Sequence, residues 1–134
     1  MAPHRAPSFL ASFKMENYKD LDVWKESMNL ADSVYAVTKR FPPEERFGLS
    51  IQVRKAVVSI PSNIAEGFGR RGIRDRRHFV FMSRGSLFEL ETQLEIATRQ
   101  GFINKELSRR VRGQLIKVAQ LLNGLIRYLD KQIG

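Results

Sequence analysis

A chain of 134 residues, 43% hydrophobic and 28% charged, is long enough for one domain with its own core and too short for two ordinary ones, and it lacks the composition of a disordered chain. The absence of cysteine excludes disulfides, a thiolate nucleophile and Cys-ligated metal centres, and no run approaches the roughly 20 apolar residues of a membrane span, so a cytoplasmic protein without membrane contact is expected. The net charge of +9 points to polyanionic partners, and it is concentrated, with +4 on residues 67–78 and +5 on residues 104–134.

Residues 1–16 read as a flexible N-terminal extension, because MAPHRAPSFLASFK holds two prolines and no acid before the texture changes at Met15. An upstream start codon or a short transit peptide are the other readings of that segment. The folded domain is expected over residues 17–134. From Asp22, a plausible N-cap, Val23, Ser27, Leu30, Val34 and Val37 recur at three- and four-residue steps, with Ser27 as the polar exception. Phe41-Pro42-Pro43-Glu44-Glu45 stops this first helix, since proline suits a first turn and acids favour a helix N-terminus.

A second helix follows through Leu49, Val53, Val57, Ile60 and Ile64 and ends at Gly67-Phe68-Gly69, with Pro61 expected to kink or divide it. The third should run from about Asp75 to Arg99, with Phe79, Leu87, Leu90, Leu94 and Ala97 on one face and Gly101 as its stop. The fourth opens at Asn104 and continues to about Gln132. The expected fold class is therefore all-α, an antiparallel four-helix bundle. On the last helix Leu107, Val111, Leu115, Val118, Leu122, Leu125 and Leu129 form a seam that Ala119, Leu121, Ile126 and Tyr128 widen to about 180°. An intramolecular seam needs only about 100°, so the excess implies either a second contact, with another subunit, or a thicker core.

Chemistry finds little support. The only histidines are His4 and His78, and no Glu-x-x-His pair exists for a di-iron site. Gly67-Phe68-Gly69 lacks the setting of a phosphate-cradling loop and reads as a helix end. No enzyme, metal or cofactor is expected. Ser59, Ser62, Asn63 and Glu66 surround Pro61, while Ser86, Glu89 and Gln93 lie beside the apolar face of the third helix. They are expected to meet as a structural polar network that serves carbonyls near the proline and fixes helix register.

The binding candidates are basic. Arg70, Arg71, Arg74, Arg76 and Arg77 sit in a glycine-bearing connector, and guanidiniums there can take several phosphates. Arg109, Arg110, Arg112, Lys117, Arg127 and Lys131 occupy the polar half of the last helix. The bland alternative is a solvated link whose charge aids solubility. Nothing points to sequence-specific readout, because no helix-turn-helix spacing and no aromatic-rich strand are present.

Three stretches add more: Leu21-Asp-Val-Trp24; Phe47-Gly-Leu-Ser-Ile-Gln-Val-Arg-Lys-Ala-Val-Val-Ser-Ile-Pro-Ser-Asn-Ile-Ala-Glu-Gly67; and Arg84-Gly-Ser-Leu-Phe-Glu-Leu-Glu-Thr-Gln-Leu-Glu-Ile-Ala97. Over residues 17–131 the chain closely resembles the bacterial four-helix-bundle proteins encoded by intervening sequences in 23S ribosomal RNA genes. That family is similar, in fold and charge, to the accessory proteins of diversity-generating retroelements, basic homopentameric barrels that bind nucleic acid and assist a reverse transcriptase. The resemblance implies a homopentamer with a nucleic-acid-linked, non-catalytic role. Two functions follow as expectations: a nucleic-acid-binding accessory protein for RNA or DNA, or a protein-interaction scaffold, for instance an accessory subunit of a reverse transcriptase or other nucleic-acid enzyme.

Overall fold

The computed structural model describes residues 17–133, so the expected extension over residues 1–16 lies outside the described residues. The chain enters through a short turn in which Asn17 Oδ1 accepts from the Lys19 amide at 3.0 Å, then holds Leu21 extended and fully buried. Helix α1 (Asp22–Thr38) starts after it, so the cap position belongs to Leu21, and Asp22 lies inside the first turn where its charge still suits the helix dipole. Ser27, buried on the core face, is satisfied within its own helix, its hydroxyl donating to the Val23 carbonyl at 2.6 Å and the Trp24 carbonyl at 3.0 Å.

Helix α2 (Leu49–Phe68) runs without a break through Pro61, which is buried. Three donors crowd the carbonyls just before the proline: Ser62 Oγ to Val58 at 2.7 Å, Asn63 Nδ2 to Ser59 at 2.8 Å, and Ser83 Oγ, from the next helix, to Ile60 at 2.6 Å. Side-chain donors thus gather on the carbonyls of the three residues that precede Pro61.

Helix α3 (Ile73–Arg99) starts two residues ahead of the expected Asp75, and the earlier start matters for the site. Its buried face is Val80, Ser83, Leu87, Leu90, Leu94 and Ala97, a continuous 3-4-3-4-3 spacing. Phe79, expected on that face, is instead half-buried beside Gly67 of α2. Gly101 closes the helix at φ +78°, with the Phe102 amide reaching back to the Ala97 carbonyl at 2.9 Å. Asn104 then caps helix α4 (Lys105–Ile133), its Oδ1 accepting from the Leu107 amide at 2.8 Å.

The helices alternate in direction and pack in cyclic order, α1 on α2, α2 on α3, α3 on α4 and α4 back on α1. The α2–α3 connector therefore shares one end of the bundle with the start of α1 and the end of α4. Most of the extra apolar width of α4 is absorbed by this core: Ile126 is buried, and Ala119, Leu121 and Tyr128 pack half-buried against it. Exposed apolar side chains lie mainly elsewhere, with Met28 and Tyr35 on α1, Val58 on α2, and Phe81 and Phe88 on α3.

Candidate nucleic-acid interface

The basic segment is a loop over only a few residues. Because α3 begins at Ile73, Arg74, Arg76 and Arg77 occupy its first turns, and only Arg70 and Arg71 lie in the connector. Their environments differ. Arg76 turns back over the end of α2, its guanidinium donating to the carbonyls of Gly67 at 3.3 Å, Phe68 at 3.4 Å and Arg70 at 3.1 Å while lying 4.7 Å from the Phe68 ring. It caps carbonyls at the end of α2 and in the connector, a role that the sequence reading of Arg76 as a phosphate contact did not include.

Arg70 pairs with Glu66 at 2.7 Å and covers the Phe79 ring, and Arg77 reaches Asp130 at the end of α4 at 2.8 Å. On α4 itself, Arg112 bonds Glu95 at 2.9 Å and Lys117 lies 3.1 Å from Glu26. Partly exposed pairs of this kind contribute about 0–1 kcal/mol each, so a phosphate competes with them readily. Arg71, Arg74, Arg109, Arg110, Arg127 and Lys131 are exposed, and none of these side chains forms an ion pair or hydrogen bond among the described residues.

These free cations fall into two groups. Arg71, Arg74, Arg127 and Lys131 lie at the α2–α3 end, tied together by the Arg77–Asp130 bridge, whereas Arg109 and Arg110 lie at the opposite end. Arg110 and Arg127 are separated by about 25 Å along α4 at 1.5 Å per residue. The basic face of α4 is thus divided between two ends.

The polar cluster also divides. Ser59 and Ser86 meet across α2 and α3 with their oxygens 2.7 Å apart, and Asn63 Nδ2 donates to Ser59 Oγ at 2.8 Å. Ser62 and Glu66 are exposed and stay outside, Ser62 bonding within α2 and Glu66 bonding Arg70. Gln93 lies one and two turns further along α3, its Nε2 approaching Glu89 at 3.5 Å, and its buried Oε1 has no protein partner. Ser83, which joins the helices most directly, was not among the expected members.

Two other features escaped the periodicity argument. Arg84 lies 4.8 Å from the Phe81 ring and 5.9 Å from the Phe88 ring and donates to Asn123 Oδ1 at 3.1 Å, building a mixed cationic and aromatic strip on the outer side of α3. The spacing of Phe81, Arg84 and Phe88 was readable on a helical wheel. Glu95, between Arg99 and Arg112, has its carboxyl held below the usual value, first by the hydrogen bond from Arg99 and then by that from Arg112. His78 is exposed, edge-on to Phe79 at 5.6 Å. Among the described residues no group of three or more His, Asp or Glu side chains is placed to hold a metal ion, and no helix is long and apolar enough to cross a membrane.

Residues 19–124 match the family model described as 23S rRNA-intervening sequence protein. A crystal structure from Bacteroides thetaiotaomicron, described as a protein with unknown function from the S23 ribosomal protein family, superposes with a TM-score of 0.72 at 22% identity, covering 78% of this chain and 97% of that one. At that identity the likeness is one of fold. No curated protein matches the chain.

Proposed function

Since the chain belongs to the 23S rRNA-intervening sequence protein family, and since its surface carries cations that no carboxylate neutralises, we propose that it is a non-catalytic nucleic-acid-binding accessory protein of the cytoplasm. The supporting observation is the group Arg71, Arg74, Arg127 and Lys131, four exposed cations whose side chains form no ion pair or hydrogen bond among the described residues, at the end where α2 passes into α3. The start of α3 adds its own positive dipole end there, which raises the potential that a phosphate meets. Arg70 and Arg77 exchange weak carboxylate pairs for phosphate, and Arg109, Arg110, Arg112 and Lys117 provide further contact along α4.

Binding of this kind falls steeply with salt, by roughly 0.7 to 0.9 in log–log slope for each neutralised phosphate. The test is fluorescence anisotropy with RNA and DNA oligomers across a salt series, using wild type and a variant with Arg71, Arg74, Arg127 and Lys131 changed to Gln. A folded variant with unchanged affinity and slope eliminates this surface. Wild type without affinity for either polymer in dilute buffer eliminates the function.

Exposed apolar surface favours self-association as part of the same reading. An apolar groove between α1 and α2, lined by Tyr18, Trp24, Met28, Tyr35 and Val58, and the Phe81–Phe88 strip of α3 are unlike faces of one bundle. Unlike faces pair heterologously, and a heterologous contact whose rotation closes makes a ring, which is compatible with a homopentamer. Native mass spectrometry tests the order of assembly. The same apolar faces support the second reading, a scaffold that recruits a reverse transcriptase or another nucleic-acid enzyme; a protein partner retained after nuclease treatment favours it.

A further inference from the structure

At the end opposite the α2–α3 connector, a cleft of about 570 Å³ opens between the last turns of α1 and the first turns of α4. Its floor is apolar, made by Ala36 and Val37 from α1 and Leu107 and Val111 from α4, of which Val37 and Val111 belong to the buried core. Arg40 and Arg110 line it from the two sides, with Ser33 and Gln114 as neutral hydrogen-bonding groups. No acidic residue lines the cleft, and neither guanidinium forms an ion pair or hydrogen bond among the described residues.

Arg110 lies in the second turn of α4, four residues after Glu106, and no ion pair joins the two side chains. Two arginines across one cleft, neither bonded to a carboxylate among the described residues, suit an anion that accepts several hydrogen bonds, and phosphate accepts bidentate guanidinium bonds. The volume lies in the range of small-molecule sites, and the apolar floor asks for a flat, weakly polar body attached to that anion.

We infer that this cleft binds a nucleotide unit, its phosphate held between Arg40 and Arg110 and its base or sugar resting on Ala36 and Leu107. The inference rests on the nucleic-acid reading when the unit belongs to an unpaired strand, and stands apart from it when the unit is a free nucleotide. Arg40 was not visible as a binding residue beforehand because Arg110 lies 70 positions away in the chain.

The test uses the full chain with two probes, a labelled unstructured 12-nucleotide RNA followed by anisotropy and adenosine monophosphate followed by calorimetry. The variants are Arg40→Gln with Arg110→Gln, and separately Arg110→Lys, which keeps the charge and removes the planar fork; Arg71→Gln with Arg74→Gln is the control at the other end. The cleft double variant is expected to weaken RNA by about tenfold and to lower the salt slope by about 0.7 to 1.4, one or two phosphates on a single strand. Loss of nucleotide binding alone, with RNA unchanged, assigns the cleft to free nucleotides. If neither probe responds to the cleft variants while the control weakens RNA, the cleft is overturned and the proposed function stands. If wild type binds the nucleotide in the cleft but no RNA or DNA, the proposed function falls and the site remains.

Discussion

Ser83 on α3 donates its hydroxyl to the carbonyl of Ile60 on α2 at 2.6 Å, one residue before Pro61. Both residues are fully buried, so the bond fixes the register of the two most closely joined helices beside Pro61. Ser83→Ala removes the donor and leaves the carbonyl with less satisfaction in a dry setting. The expected loss is about 1 kcal/mol of unfolding free energy, read from urea denaturation with an unchanged m-value. A neutral result assigns the register to the Ser59–Ser86 contact instead.

Gly67 tests the closeness of the same two helices. A Cβ added there meets the Cβ of Phe79 at 2.9 Å and the Arg76 carbonyl oxygen at 3.1 Å, neither of which is the movable tip of a side chain. Alanine is the better helix former by about 1 kcal/mol, yet Gly67→Ala is expected to destabilise by about 1–2 kcal/mol because the overpacking exceeds that gain. Gly113, inside α4 with nothing within 4 Å of an added Cβ, is the counterpart. Gly113→Ala should stabilise by up to about 1 kcal/mol. Equal effects at both positions contradict the close α2–α3 approach.

Arg76 separates structure from binding. Its removal leaves carbonyls at the end of α2 without their capping donor, so Arg76→Ala is expected to lower stability by about 1–2 kcal/mol. Arg74→Ala, two residues earlier and at an exposed side chain with no ion pair among the described residues, should leave the melting temperature nearly unchanged and reduce nucleic-acid affinity. Identical melting curves for the two variants remove the capping role of Arg76.

Glu95 supplies the pH dependence. Its folded carboxyl titrates below the unfolded one because Arg99 and then Arg112 bond the ionised form. Its contribution is therefore complete above the unfolded carboxyl range and disappears as pH falls through the lowered folded value. The partners are well exposed, so the effect is small. Thermal melts of wild type and Glu95→Gln should differ slightly near neutrality and converge in acid; a difference that grows in acid reverses the assignment.

The four helices were legible before any coordinates because burying an apolar stripe imposes a 3.6-residue rhythm, and local stop signals such as Gly101 and Asn104 act within a few residues of themselves. The same locality placed Ser27 in the core and the positive charge near residues 67–78 and on α4. It did not reveal that Phe79 leaves the core face, that Gly67 is a point of close helix approach within α2, or that Arg76 is a cap. Nor did it separate paired from unpaired cations, because Arg77 finds Asp130 across 53 positions and Lys117 finds Glu26 from another helix. Such meetings depend on the rotation and spacing of neighbouring helices, and those are set by how whole faces interlock; no short stretch of residues encodes them.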